Sequence, residues 1–169
     1  MIIFKRLVSV LALAVLAAAA LLSARAQPSS SSRDALLRPV LKLYAAFDTG
    51  RLSLLDEAVS PNYVDHMPLP GVPGGREGLK RTVQIFRAGL PDMKSTIEAT
   101  VVEGDLVVTR LTITGTHRGD FLGVPATGRR LRFAGLDVHR VADGRVVESW
   151  HVEDLLGALG QLGANPGAK

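Results

Sequence analysis

The stretch that most constrains this chain is Leu131 to Leu156, LRFAGLDVHRVADGRVVESWHVEDLL. It predicts two strands joined by a tight turn, then a short closing helix. Leu131, Phe133, Gly135, Asp137, His139 and Val141 share one face of the first strand, because successive strand side chains point to opposite sides. A carboxylate and an imidazole therefore stand on an otherwise apolar face, where an unpaired polar group is costly. The turn decides what lies opposite them. A two-residue loop at Asp143-Gly144 puts Asp137 opposite Trp150 and His139 opposite Glu148. A three-residue loop, Ala142-Asp143-Gly144 with Gly144 as a left-handed bulge residue, moves the register by one. Asp137 then faces Ser149, with His151 as its diagonal neighbour on the same face. The second register is favoured, since Asp followed by Gly suits a type I turn and its bulge. An Asp and a His converging on an apolar face form a candidate acid–base site.

The first residues carry an address. Lys5 and Arg6 precede an apolar run from Leu7 to Leu22, and Ala24-Arg25-Ala26 offers a small-x-small cleavage site before Gln27. These are the three regions of a secretory signal peptide over residues 1–26. The run is shorter than the ~20 apolar residues a spanning helix needs, so the expectation is cleavage, no membrane span afterwards, and a periplasmic or secreted protein. No cysteine follows the run, which excludes a lipid-anchored form. Cleavage removes Lys5, Arg6 and Arg25 and no acidic residue, so a net charge of +4 falls to +1. Nucleic-acid binding thereby loses its electrostatic support, and the few aromatics give no stacking platform. With no cysteine for a disulfide, the mature chain forms one domain that its apolar core must stabilise.

Residues 27–33, serine-rich, are expected to be a flexible linker. Leu36, Leu37, Val40, Leu41, Tyr44 and Phe47 recur at helical spacing between Asp34 and Asp48. Pro39 belongs in a first turn, which places the start near Leu36, and Thr49-Gly50 ends the helix. A second short helix spans Leu52 to Val59, a short strand Tyr63 to His66, and a third helix Arg76 to Ala88. From Met93 the period changes to two, with strands at Ser95–Val102, Leu106–His117, Arg130–Val141 and Val146–Val152. Asp154 caps a last helix to Leu162, and residues 164–169 form a disordered tail. Three helices followed by an antiparallel meander give an α+β fold with the helices on one face of a curved sheet.

Several marks then accumulate: Gly115-Thr116-His117, the loop Gly119 to Gly128, Arg140 with Asp143-Gly144, Trp150-His151 with Asp154, and Gln161-Leu162-Gly163. Phe47-Asp48-Thr49-Gly50 and Asn62-Tyr63-Val64-Asp65-His66 add to them from the first half. With these the chain, over residues 34–163, resembles the SnoaL-like polyketide cyclase (ester cyclase) family. The resemblance implies the cone-shaped fold of nuclear transport factor 2: a curved antiparallel sheet wrapped around helices, a pocket in the cone, and a homodimer formed through the sheet. It also implies a general acid–base Asp on the last strand, assisted by a His on the strand before it, in an intramolecular aldol closure. Aligned through Arg140 and the Asp143-Gly144 turn, that Asp falls on His151. The assisting His falls on Asp137, or on His139 with a two-residue offset. The residue types are thus exchanged, and the export signal is a second departure from the family.

His151, with Asp137 or His139 orienting or assisting it, is the expected catalytic group, since an imidazole exchanges protons near neutral pH. A strand-tying Asp–His hydrogen bond is the structural alternative. Tyr63, Asp65, His66, His117, Phe133 and Ser149 are candidate binding residues, though a loop role is favoured for His66 and for His117, which would fix the loop after its strand. Trp150 points away from His151 by alternation and reads as core. Arg140 and Glu148 read as a surface ion pair. The four His show no local metal-ligand spacing, the Gly-rich segments lack the setting of a phosphate loop, and no Ser stands in a nucleophile elbow. No metal and no cofactor are implied. The expected function is acid–base chemistry on a small apolar or aromatic carbonyl compound; a non-catalytic carrier of such a ligand is the alternative.

Overall fold

The computed structural model describes residues 30–164. The expected signal peptide 1–26, most of the expected linker and residues 165–169 of the expected tail lie outside the described residues. Helix α1 (Ser30–Thr49) leads into α2 (Ser53–Ala58), strand β1 (Val59–Asp65) and α3 (Gly75–Gly89). Strands β2 (Lys94–Glu103), β3 (Leu106–Thr116), β4 (Arg130–Ala142) and β5 (Arg145–Glu153) follow, closed by α4 (Leu155–Leu162). Asp154 does cap α4, its carboxylate accepting from the Gly157 N–H at 2.8 Å. No helix among the described residues is long and apolar enough to cross a membrane.

Two expectations about α1 change. It starts at Ser30, so the end of the serine-rich linker is helical, and Pro39 lies inside it, buried. The turns before Pro39 are almost wholly exposed, with Arg33 reaching the Thr100 carbonyl of β2 at 3.4 Å. Exposed serines weaken a helix start without forbidding it.

The five strands form one sheet in the order β1-β5-β4-β3-β2. The fold class is α+β as expected, but the sheet is mixed: β1 runs parallel to β5, pairing Val64 with Glu148 and Asp65 with Ser149. Periodicity marks a strand without giving its direction, and β1 reaches an edge through helices rather than through a hairpin. Helices α1 to α3 cover the inner face in one apolar cluster around Val40, Leu55, Val83, Val107 and Val146. A second cluster joins Phe86, Leu90, Phe121, Leu131, Phe133 and Leu162 near α4.

The β4–β5 turn is the two-residue loop, not the favoured three-residue one, and beyond it the pairing matches neither register. Asp143 and Gly144 are both left-handed, with φ of 50° and 71°, so the loop has two residues of type I′ character. Ala142 pairs with Arg145 and Val141 with Val146, but Arg140 pairs with Glu148, leaving Val147 as an extra residue. This bulge sets Asp137 directly opposite His151 and His139 opposite Ser149. The favoured register was two residues away, and an even slip keeps every side chain on its face.

Candidate functional site

The inner face of the sheet, α1 and α3 enclose a cavity of about 620 Å³ including its open mouth. Leu43, Phe47, Leu79, Phe86, Met93 and Ile113 supply apolar wall, whereas β1, β4 and β5 supply Tyr63, Asp65, Asp137, His139, Ser149, His151 and Glu153. Gly135, between Phe133 and Asp137 on the inner face of β4, adds no side chain there.

Two polar groups of side chains share this space. In the first, Asp137 is 6% exposed and its Oδ2 accepts from the Tyr44 hydroxyl at 2.7 Å. Tyr44 also lies 2.5 Å from Thr109 Oγ1 and 2.9 Å from His139 Nε2. His139 Nδ1 meets Ser149 Oγ at 2.7 Å. His139 Nε2 and Asp137 Oδ2 stand 3.7 Å apart, too far for a direct hydrogen bond. Asp137 Oδ1 is buried and has no hydrogen-bond partner among the described residues. Burial, then the charge of Asp137, push the Tyr44 phenol well above its ordinary pKa, so it stays a donor.

In the second group, His151 is held between two carboxylates. Its Nε2 lies 3.1 Å from Asp65 Oδ1 and its Nδ1 3.1 Å from Glu153 Oε1. Burial works against the imidazolium, but the hydrogen bonds to Asp65 and Glu153 outweigh it and hold the pKa up at about 10. Asp65 shows the reciprocal effect: burial opposes its charge, yet His151 and the Met67 N–H keep its carboxyl below the usual range. His151 is therefore a cation at neutral pH with both protons engaged.

The expected residues divide accordingly. Asp137, His139, His151, Tyr63, Asp65 and Ser149 come together around the cavity. The expected Asp137–His151 partnership is a ladder pairing without a hydrogen bond, because Asp65 and Glu153 take both imidazole nitrogens. Phe133 does not line the cavity and packs in the second apolar cluster. His117, fully buried at the end of β3, accepts from the Thr127 N–H at 3.2 Å and pins the following loop. His66 lies outside the cavity, stacked on Trp150 with ring centroids 4.4 Å apart. Trp150 is thus an outer-face residue beneath Arg140 rather than core, since alternation excludes it from the cavity without promising a layer to cover it. Arg140 does pair with Glu148 at 3.5 Å, and with Asp105 at 2.8 Å.

Sequence reasoning missed Tyr44, Thr109 and Glu153. Each left a trace: Tyr44 is the polar-tipped member of the α1 stripe, Thr109 interrupts Val107, Leu111 and Ile113, and Glu153 follows Ser149 and His151 in alternation. Among the described residues no three His, Asp or Glu side chains group as a metal centre.

The chain's likeness to known proteins agrees with this architecture. The family model described as SnoaL-like polyketide cyclase matches residues 38–162. Nogalonic acid methyl ester cyclase of Streptomyces nogalater is 33% identical over 125 residues, covering 72% of this chain and 92% of that protein. Aklanonic acid methyl ester cyclase DauD of a Streptomyces strain is 30% identical, covering 73% of this chain and 79% of that protein. The structure of TsrD from Streptomyces laurentii superposes with a TM-score of 0.72 at 34% identity, covering 79% of this chain and 98% of that one. With the family model matching most of the chain, and with relatives this similar along most of their own length, the chain belongs to the SnoaL-like polyketide cyclase family.

Proposed function

We propose that this protein is a cofactor-independent cyclase acting on an apolar carbonyl compound, with Asp137 as its general acid–base. The observation that carries this reading is the free Oδ1 of a buried carboxylate in the cavity, its Oδ2 held by Tyr44. Asp137 Oδ1 takes a proton from a carbon beside a carbonyl, and the C–H electron pair becomes the enolate. That carbon attacks a second carbonyl of the same molecule, forming the ring bond, and Asp137 returns its proton to the new alkoxide oxygen. Proton and electrons balance within one substrate molecule. His151, with both protons engaged, supplies positive charge opposite Asp137 rather than exchanging protons, which favours the enolate. The relatives' names, which specify methyl ester cyclases, and the apolar wall support a neutral, largely apolar substrate.

Nogalonic acid methyl ester is a suitable probe. Incubation with the protein in D2O is expected to exchange deuterium into carbons beside its carbonyls and to yield a cyclised isomer. Ester recovered bound, unchanged and undeuterated would identify a carrier instead. We also propose a homodimer through the outer face of the sheet, where Leu136 is 48% and Val152 60% exposed; a monomer mass in sedimentation at micromolar concentration would end that proposal.

A further inference from the structure

Tyr44 exchanges no proton with the substrate in the chemistry above, yet its hydroxyl meets three polar partners in the interior. Their protons can be placed by counting. Asp137 Oδ2 as a carboxylate only accepts, so the single Tyr44 proton goes to it at 2.7 Å. The phenol oxygen must then accept from its other neighbours, so Thr109 Oγ1–H and His139 Nε2–H donate to it. A neutral His139 protonated at Nε2 is an acceptor at Nδ1, where the Ser149 hydroxyl donates at 2.7 Å. The chain runs one way, Ser149 to His139 to Tyr44 to Asp137, and draws on β5, β4 and α1, with Thr109 joining from β3.

We propose that Tyr44 is the positioning residue of this site: the one-way chain through its hydroxyl occupies Asp137 Oδ2, leaves the buried Oδ1 as the carboxylate oxygen without a partner among the described residues, and fixes neutral His139 as the Nε2–H tautomer. The chain consists of the protein's own side chains and stands without any substrate. Its catalytic meaning rests on the reading of Asp137 as the acid–base group. The charged and titratable groups facing Asp137 are Tyr44 from α1, His139 on its own strand, His151 across the β4–β5 ladder with Glu153 and Asp65 behind it, and Tyr63 from β1. Only Tyr44 hydrogen-bonds its carboxylate.

The test is NMR of the full chain, with 15N-labelled histidine and 13C-labelled aspartate. The wild-type protein is expected to show His139 bare at Nδ1 and protonated at Nε2; the opposite tautomer would overturn the proposal. Tyr44→Phe keeps the ring and removes the donor to the charged carboxylate. The Asp137 carboxyl 13C resonance at neutral pH is then expected to shift, since its one hydrogen-bond donor is gone. An unmoved resonance would overturn the proposal. Thr109→Val, which leaves the Tyr44–Asp137 contact in place, is expected to move that resonance less. If Tyr44→Phe fails to fold, the wild-type tautomer and Thr109→Val decide. With the methyl ester probe, Tyr44→Phe is expected to lower kcat more than it changes KM. An intact chain in a protein that never turns over the probe would sink the catalytic reading alone. A reversed tautomer in an active enzyme would sink this proposal alone.

Discussion

Asp137→Asn is expected to lower turnover by about 10²–10⁴-fold, the range for losing a positioned general acid–base, while affinity for the methyl ester probe changes only a few-fold. The amide matches the carboxylate in size and can still accept from Tyr44 through its oxygen. What it lacks is basicity at the atom where Oδ1 stands, the buried oxygen with no partner. The apolar wall, formed by residues such as Leu79, Phe86 and Met93, is untouched, so binding measured by calorimetry should persist. Turnover retained within tenfold would move the acid–base role elsewhere. Equal loss of binding and turnover would point to a collapsed cavity instead.

His151→Ala is expected to act mainly on stability, costing about 3 kcal/mol near neutral pH. That is the low end for an ion pair losing one partner inside a protein, because Glu153 still reaches solvent. Asp65, almost fully buried, would keep its charge with only the Met67 N–H to hold it. The pH dependence distinguishes this clamp from ordinary packing. The folded pKa of His151, about 10, lies above its unfolded value near 6.5. Its contribution is therefore complete below about pH 6.5 and is lost as pH rises toward 10. For one group the loss has an upper slope of about 1.4 kcal/mol per pH unit. Asp65 has the opposite sign: its pKa is lowered, so its contribution is present above the ordinary carboxylate range and lost on acidification. Denaturant unfolding between pH 6 and 10 should show wild-type stability falling through this window and the variant nearly flat. Parallel curves for the two proteins would show that the clamp contributes no linked stability.

Strand alternation paired Asp137 with His139 and Ser149 with His151, and the favoured register put the two pairs on one face. The helical stripe of α1 and the change of period at Met93 separated the helices from the strands, and the motif marks carried the family. These are local regularities: a side-chain period of two or 3.6 residues is written within each element. Partner choice is not local. The extra residue at Val147 decided that Asp137 stands opposite His151, because a bulge depends on how both strands twist and pack rather than on turn composition alone. Tyr44 reaches Asp137 from 93 residues away and Asp65 reaches His151 from 86. Those distances close only when α1 packs across the sheet and β1 takes its parallel edge position. Alternation likewise put Trp150 on the face away from the cavity, but only the finished fold showed that the described residues leave that face half-exposed. Which residues face inward was therefore legible in the chain. Which of them share a proton was set by tertiary packing, because hydrogen bonds depend on ångström separations that no spacing along a sequence encodes.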